Sequence, residues 1–497
     1  MDGQPLYPEP PEALVRPGWR YLLGYVGPGA IIASVTIGSG ELVWASRSGA
    51  IFGYAMLWCF LFGGTFKAIQ VYTAARHITL TGEHPMRTWQ QTPVLRWWFP
   101  LVIALPAVAL MPVAFSAIPE ILGGYVHRLV GMPAEGDPVG PWGHLEFWVN
   151  AWATLVLVGC LGLALGSSYG LLERVSAAVL GVMVVCVGVS VVVLGPDLLE
   201  MVRGLLVPQV PDFPRWLVDS PKYAAEAGRQ TPWLEVSLYL AAVGGGAYDY
   251  IGYVGMMRQK QWGLAGRRVA GRRELEEAVS GQDAAAEQTV RRARQWVRGP
   301  LLDTGVSFFF VVLVTLLFAV LGTLVLHPEH AVPANNDLLI EQETFLTQLH
   351  GQLRWLYRGG VLLAFVGTLY GAFEVYRYTF AESLAALAPR AVTEKRLPGI
   401  RAGVVAYCFL GGLVVMWLPE GIAGAITDRV VFSTILSGAL ASGLWCFAML
   451  LVDRLRLPAP LRMGPWLRVA TLTAGVVMTW LGVLTTIAFL RAKGILV

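Results

Sequence analysis

Apolar residues in this chain run in long blocks, not in the narrow stripes of a soluble amphipathic helix. Stretches of roughly 20 predominantly apolar residues recur from residue 23 to residue 490, the length a helix needs to cross a bilayer. About eleven spans are predicted on length and apolarity. They lie near 23–47, 50–75, 98–125, 146–167, 172–195, 235–257, 302–326, 356–377, 400–418, 429–452 and 465–490. The polar intervals between them predict the rest of the organisation. Residues 1–22 form a polar, proline-rich tail without the basic-then-apolar order of a signal peptide. Residues 23–195 hold a first set of five spans and 235–452 a second. Residues 196–234 connect them on the far side of the membrane, and 453–497 carry the eleventh helix and a tail.

Lys and Arg set the orientation. With the N-terminus inside, roughly 22 of them fall on the cytosolic side against about ten outside. The basic loop 258–298 dominates, with pairs at Arg267–Arg268, Arg272–Arg273 and Arg291–Arg292. It is expected to hold one amphipathic cytosolic helix, Glu274 to Val297. The chain is thus expected in a bacterial inner (plasma) membrane, N-terminus in the cytosol.

Composition agrees. The chain is 55% hydrophobic and 14% charged, with a mean hydropathy of +0.57, whereas soluble domains carry about 25% charged residues. A soluble multidomain enzyme is excluded, and a net charge of +4 gives no reason to expect a nucleic-acid partner. The expected partners are the lipid bilayer and a small transported species. The five cysteines all sit in apolar segments without a CxxC pair, so they read as small core hydrophobes. No Walker, haem, flavin or zinc-type signature occurs, and no cofactor is expected. The seven histidines fall in loops or at span ends, where surface titration is the expected behaviour.

Two spans contain their own interruption. Span 1 carries Gly27-Pro28-Gly29, then Thr36-Ile37-Gly38-Ser39-Gly40-Glu41; span 6 carries Gly244-Gly245-Gly246-Ala247-Tyr248-Asp249-Tyr250. Glycine clusters disfavour helix, and a carboxylate at membrane depth is costly. Both occur together, twice, and each broken span opens a run of five. Paired Gly-interrupted spans in two halves point to a secondary-transporter site, where freed carbonyls and carboxylates replace a cation's water shell. Five spans per half make the second half inverted relative to the first. The predicted fold is therefore an all-α membrane protein with a 5+5 inverted repeat plus one helix. Elsewhere, Lys67 in span 2 is expected either to balance Glu41 or Asp249 or to snorkel inward and anchor the span. Glu374 and Arg377, three apart, read as a structural pair. Glu120 and Asp303 read as interfacial.

Several stretches resemble the Nramp family of divalent-metal transporters. They are Gly27-Pro28-Gly29; Gly49 to Gln70 with Arg76 and Thr81-Gly82; Gly170-Leu171-Leu172-Glu173-Arg174; and Arg203-Gly204-Leu205-Leu206-Val207-Pro208, with weaker fits at Asp303, Arg396 and Arg401. The resemblance implies a LeuT-like fold and a divalent metal ion as cargo. It also shows where this chain departs, as a divergent Nramp-related branch would. The family's Asp-Pro-Gly-Asn falls on Gly38-Ser39-Gly40-Glu41, and its Met-Pro-His falls near Tyr250-Ile251-Gly252. A span-10 glutamine falls on Thr434, and the span-3 acids have no counterpart between Leu101 and Ile118. Loss of the thioether removes a ligand that favours softer metals, and hard oxygen from Glu41 and Asp249 suits a cation such as magnesium.

The expected cation ligands are Glu41 and Asp249, with Gly38, Ser39, Gly40, Gly245, Tyr250 and Thr434 around them and Tyr248 and Lys67 for coupling or charge balance. Two other readings remain open at this point. Ile37-Gly38-Ser39-Gly40 also resembles the break of amino-acid, polyamine and organocation carriers, which implies an organic amine held by Asp249 and the tyrosines. Tyr248-Asp249 with Asp303-Thr304-Gly305 resembles parts of aspartyl-protease sites, but a dyad needs two aspartates facing each other at one depth.

Overall fold

In the computed structural model, the described residues are 5–15, 39–96, 98–165, 169–221, 223, 231–281, 284–333 and 339–492. Their regular secondary structure is helical, apart from one isolated bridge between Val139 and Trp142. Among them eight helices are long and apolar enough to cross a membrane: Leu42–Thr81, Trp98–Val130, His144–Leu165, Ala284–Leu326, Leu353–Leu387, Leu397–Met416, Gly421–Arg456 and Pro465–Arg491. These occupy predicted spans 2, 3, 4, 7, 8, 9, 10 and 11. The chain is an integral membrane protein. The other three predicted spans differ for separate reasons. Most of span 1, with Gly27-Pro28-Gly29, lies outside the described residues. Span 5 contributes Leu180–Leu194 as a shorter apolar helix. Span 6 is two short helices, Pro232–Ala242 and Ala247–Met256, with a non-helical turn between them.

Span 2 is the 25-residue helix Leu57–Thr81, preceded by a 3-10 turn at Gly53–Met56. Gly82 ends it with φ +73°, a left-handed stop that glycine adopts without strain, and a Cβ there would collide with the carbonyl of Arg268. The buried apolar side chains form two large clusters. One gathers around Phe52, Tyr239 and Phe318, the other around Trp89, Tyr253 and Trp445. Leu240 and Val243 belong to the first, Ala247 and Tyr248 to the second. The span 6 break therefore sits at the seam between the two clusters.

The basic loop folds as two helices, Arg272–Ser280 and Ala284–Trp296, not as one. Gly281, extended at φ −64° and ψ 147°, stops the first. The pair seats the N-terminal segment: Arg292 donates to the Tyr7 carbonyl (3.0 Å), Trp296 to Pro8 (2.9 Å) and Arg298 to Leu14 (3.0 Å). The Tyr7 hydroxyl donates to the Leu80 carbonyl at 2.8 Å. Tail, basic loop and the end of span 2 thus share one face of the molecule.

Several polar residues are more buried than sequence position implied. Glu120 is buried against Arg429, and Asp303 is buried and accepts from the Tyr253 hydroxyl at 2.7 Å. Arg377 and Glu374 do pair, at 2.6 Å. His77, His84 and His127 are buried as well, not surface groups. A span end, read from sequence, does not reveal which loop folds back over it.

His84 carries a measurable consequence. Its Nδ1 accepts from the Met86 N–H (3.2 Å), and its Nε2 donates to the Ile251 carbonyl (3.0 Å). That pattern requires the neutral ring, because a proton on Nδ1 would face the Met86 donor. Burial pushes the imidazole down to about 4; Arg258 adds to the depression, while Glu382 opposes it. The unfolded chain therefore takes up this proton first, below pH 6.5. Stability from His84 is fully present above pH 6.5 and is lost as pH falls toward 4. Thermal melts of the detergent-solubilised protein should fall across that window, and His84→Gln should flatten the slope. An unchanged slope in the variant would assign the pH response to other groups.

Candidate functional site

The break in span 6 builds the site. Gly244 and Gly245 take φ of +76° and +79°, consecutive left-handed conformations that side-chain-bearing residues rarely adopt. Gly246 then starts the second half-helix, and a Cβ on it would strike Ser437 of span 10. Three adjacent glycines thus perform two tasks: they turn the chain out of helix and admit span 10 to contact distance.

Asp249 is the third residue of the new helix. Its Oδ2 accepts the Gly246 N–H at 2.8 Å, satisfying a donor that helix geometry leaves orphaned. Tyr376 of span 8 lines the same cavity as the carboxylate. Asp249 is half-buried and lines a cavity of about 140 Å³. The wall is completed by Trp44, by Ala107, Met111 and Ile118 of span 3, by Thr368 of span 8, and by Ser433, Thr434 and Ser437 of span 10. The cavity is small beside the 300–1,000 Å³ of a typical organic-ligand pocket. It has room for a few waters or a partly hydrated ion. Among the described residues no three His, Cys, Asp or Glu side chains converge as a metal cluster would require. The polar lining is one carboxylate, several hydroxyls and unwound backbone.

The predicted site residues separate on inspection. Asp249, Gly245, Tyr248 and Thr434 line the cavity. Tyr250 is fully buried, and its hydroxyl donates to the Gly244 carbonyl at 2.7 Å, bracing the break. Gly38 lies outside the described residues. Of Ser39, Gly40 and Glu41 only the backbone is described, as the start of the π-helical turn Ser39–Trp44. Lys67 does not snorkel. It is fully buried, and its ammonium donates to the carbonyls of Ala241, Val243 and Gly245.

Sequence reading missed Tyr376, Thr368 and Ser437. A signal existed for each. Thr368 and Tyr376 are eight residues apart, about two helical turns, on one face of span 8. Ser433, Thr434, Ser437 and Gly438 cluster where span 10 opens into the π-helix Ile435–Ala441, a distortion frequent at functional sites.

Residues 29–218 match the family model described as natural resistance-associated macrophage protein-like (Nramp). The match ends before the span 6 break. Metal transporter Nramp6.2 of Populus trichocarpa is 26% identical over 201 residues, 39% of this chain and 33% of that protein. Metal transporter NRAT1 of Oryza sativa subsp. japonica is 29% identical over 200 residues, again 39% and 33%. The aligned region thus spans about a third of the length of these relatives. The fold extends further than the sequence match. A crystal structure of a variant of the Eremococcus coleocola manganese transporter superposes with a TM-score of 0.62 at 14% identity, covering 99% of this chain and 95% of that one. A second structure of that transporter, in complex with an aromatic bis-isothiourea compound, gives 0.59 at 13%, covering 96% and 92%. The described chain is an all-α, multi-spanning membrane protein with the fold of that manganese transporter.

Proposed function

We propose that this protein is a secondary transporter that moves a divalent metal cation across the membrane by alternating access, through a site at the breaks of spans 1 and 6. One observation carries the proposal: the Asp249 carboxylate, held by the Gly246 N–H, faces a small cavity lined by several hydroxyls at the seam between two apolar clusters. A divalent ion there would meet one full charge and neutral oxygens, a hard set that suits magnesium or manganese. Glu41 is the second proposed carboxylate ligand, with Thr434, Ser437 and Tyr248 ordering the ion's waters. The Nramp match over residues 29–218 and the manganese-transporter fold support this reading. Under it, spans 1–5 and 6–10 form a 5+5 inverted repeat, and span 11 stands outside it. The face shared by the N-terminal segment and the basic loop is cytosolic. The chain is a divergent Nramp-related branch whose metal site has traded thioether for carboxylate oxygen. The cavity volume disfavours an organic amine of any length.

Flux in liposomes tests this. Purified protein is expected to give saturable uptake of magnesium and manganese, and weaker uptake of cadmium, because the charged ligand is a hard carboxylate and the Met111 thioether is the one sulfur among the residues that line the cavity. Cadmium preferred over magnesium would overturn the hard-site assignment. Absence of flux for every divalent ion, with the protein folded and inserted, would overturn the transport reading.

A further inference from the structure

The buried ammonium at the span 6 break is the feature that the transport reading does not use. Lys67 sits in the middle of span 2, and its four-carbon stem would ordinarily carry the charge to water. Here it reaches sideways. Gly63 makes that possible: it lies four residues earlier on the same helix face, and a Cβ on it would collide with the Leu240 carbonyl. The close approach of span 2 to the first half of span 6 puts the Lys67 Nζ among three main-chain carbonyls: Ala241, Val243 at 2.7 Å, and Gly245. An ammonium has three N–H donors and no acceptor. These three carbonyls are freed by the unwinding of the helix.

A cluster of inward-pointing carbonyls, empty of hydrogen-bond donors, is the surrounding that a small monovalent cation takes in place of its hydration shell. Asp249 lies near enough to Lys67 to feel its charge. We propose that this cage is a monovalent-cation site and that Lys67 fills it as a tethered, permanent occupant. The lysine stands where a free sodium, potassium or ammonium ion would otherwise be needed to hold the span 6 break together. Two consequences follow. The native protein has no requirement for a monovalent cation at this position. Removing the tethered charge, without filling its place, creates such a requirement.

Thermal melting of the purified protein tests both, and it reads binding, not flux, so its result is independent of the transport reading. Wild type should melt at the same temperature in choline chloride as in sodium, potassium or ammonium chloride at equal concentration. Lys67→Ala should melt several degrees lower in choline and recover at least half of that loss when choline is replaced by one of the three small cations. Ethylammonium, which restores part of the stem as well as the charge, should recover more. Lys67→Met, which fills the stem's volume without the charge, serves if the alanine variant does not fold. It should lose stability in choline and regain less than alanine does, because its thioether obstructs the cage. A melting temperature of both variants that is indifferent to the cation overturns the proposal. So does a wild type that itself needs sodium or potassium, because the cage would then not be filled by Lys67.

Discussion

Asp249→Asn is expected to reduce the apparent affinity for a divalent cation at least 100-fold and to abolish uptake at low micromolar concentrations. The substitution preserves shape. An asparagine oxygen can still accept the Gly246 N–H, so the start of the second half-helix keeps its cap. Only the charge is removed. A unit charge pair 4 Å apart is worth about 4 kcal/mol at an effective dielectric of about 20, and a divalent ion doubles it. Desolvation offsets much of that, but about 2.8 kcal/mol of surviving difference is already 100-fold. Initial uptake rates over a wide concentration range would show the effect, with a thermal melt to confirm folding. Asp249→Glu should retain partial uptake with a weaker apparent affinity, since the longer side chain takes up cavity volume. Saturable uptake in Asp249→Asn with an unchanged half-saturation concentration would remove this carboxylate from the site.

The contrast between Asp249 and its neighbours shows how far sequence reaches. The break itself was legible: three glycines before a carboxylate in an apolar span have no cheaper explanation. Its internal geometry was not. Sequence reading put both Asp249 and Tyr250 at the cation, yet adjacent residues on a helix point about 100° apart. Asp249 faces the cavity, and Tyr250 turns back to the Gly244 carbonyl. Lys67 illustrates the opposite case. Whether a mid-span lysine snorkels or turns inward depends on what stands opposite, and that is a tertiary fact. Yet Gly63 one turn before it was a local sign that another backbone comes close. The partnership of Glu120 with Arg429 left no local trace, because 309 residues separate them.

That pair supports the second large effect. Breaking it from one side, by Glu120→Leu or Arg429→Met, is expected to cost about 3–5 kcal/mol, the penalty for stranding a buried charge. Glu120 and Arg429 make a two-pronged contact, with Arg429 Nη1 3.1 Å from Glu120 Oε1, and the same nitrogen donates to Ser116 at 2.8 Å. Removing both charges together, in Glu120→Leu with Arg429→Met, should recover most of the loss, because apolar side chains of similar volume replace a buried ion pair at little net cost. Reversible unfolding in mixed micelles would give the three values, and their non-additivity the coupling. The double variant also separates a fastener from a gate. Glu120 is two residues beyond Ile118, and Arg429 is one helical turn before Ser433, both in the cavity wall. The pair therefore ties span 3 to span 10 directly beside the proposed cation path. If it only fastens the two helices, the double variant should be stable and transport at the wild-type rate. If it opens and closes with each cycle, the double variant should be equally stable but slower, with an unchanged half-saturation concentration. A double variant as unstable as either single one would sink both readings, since the loss would then come from packing and not from charge.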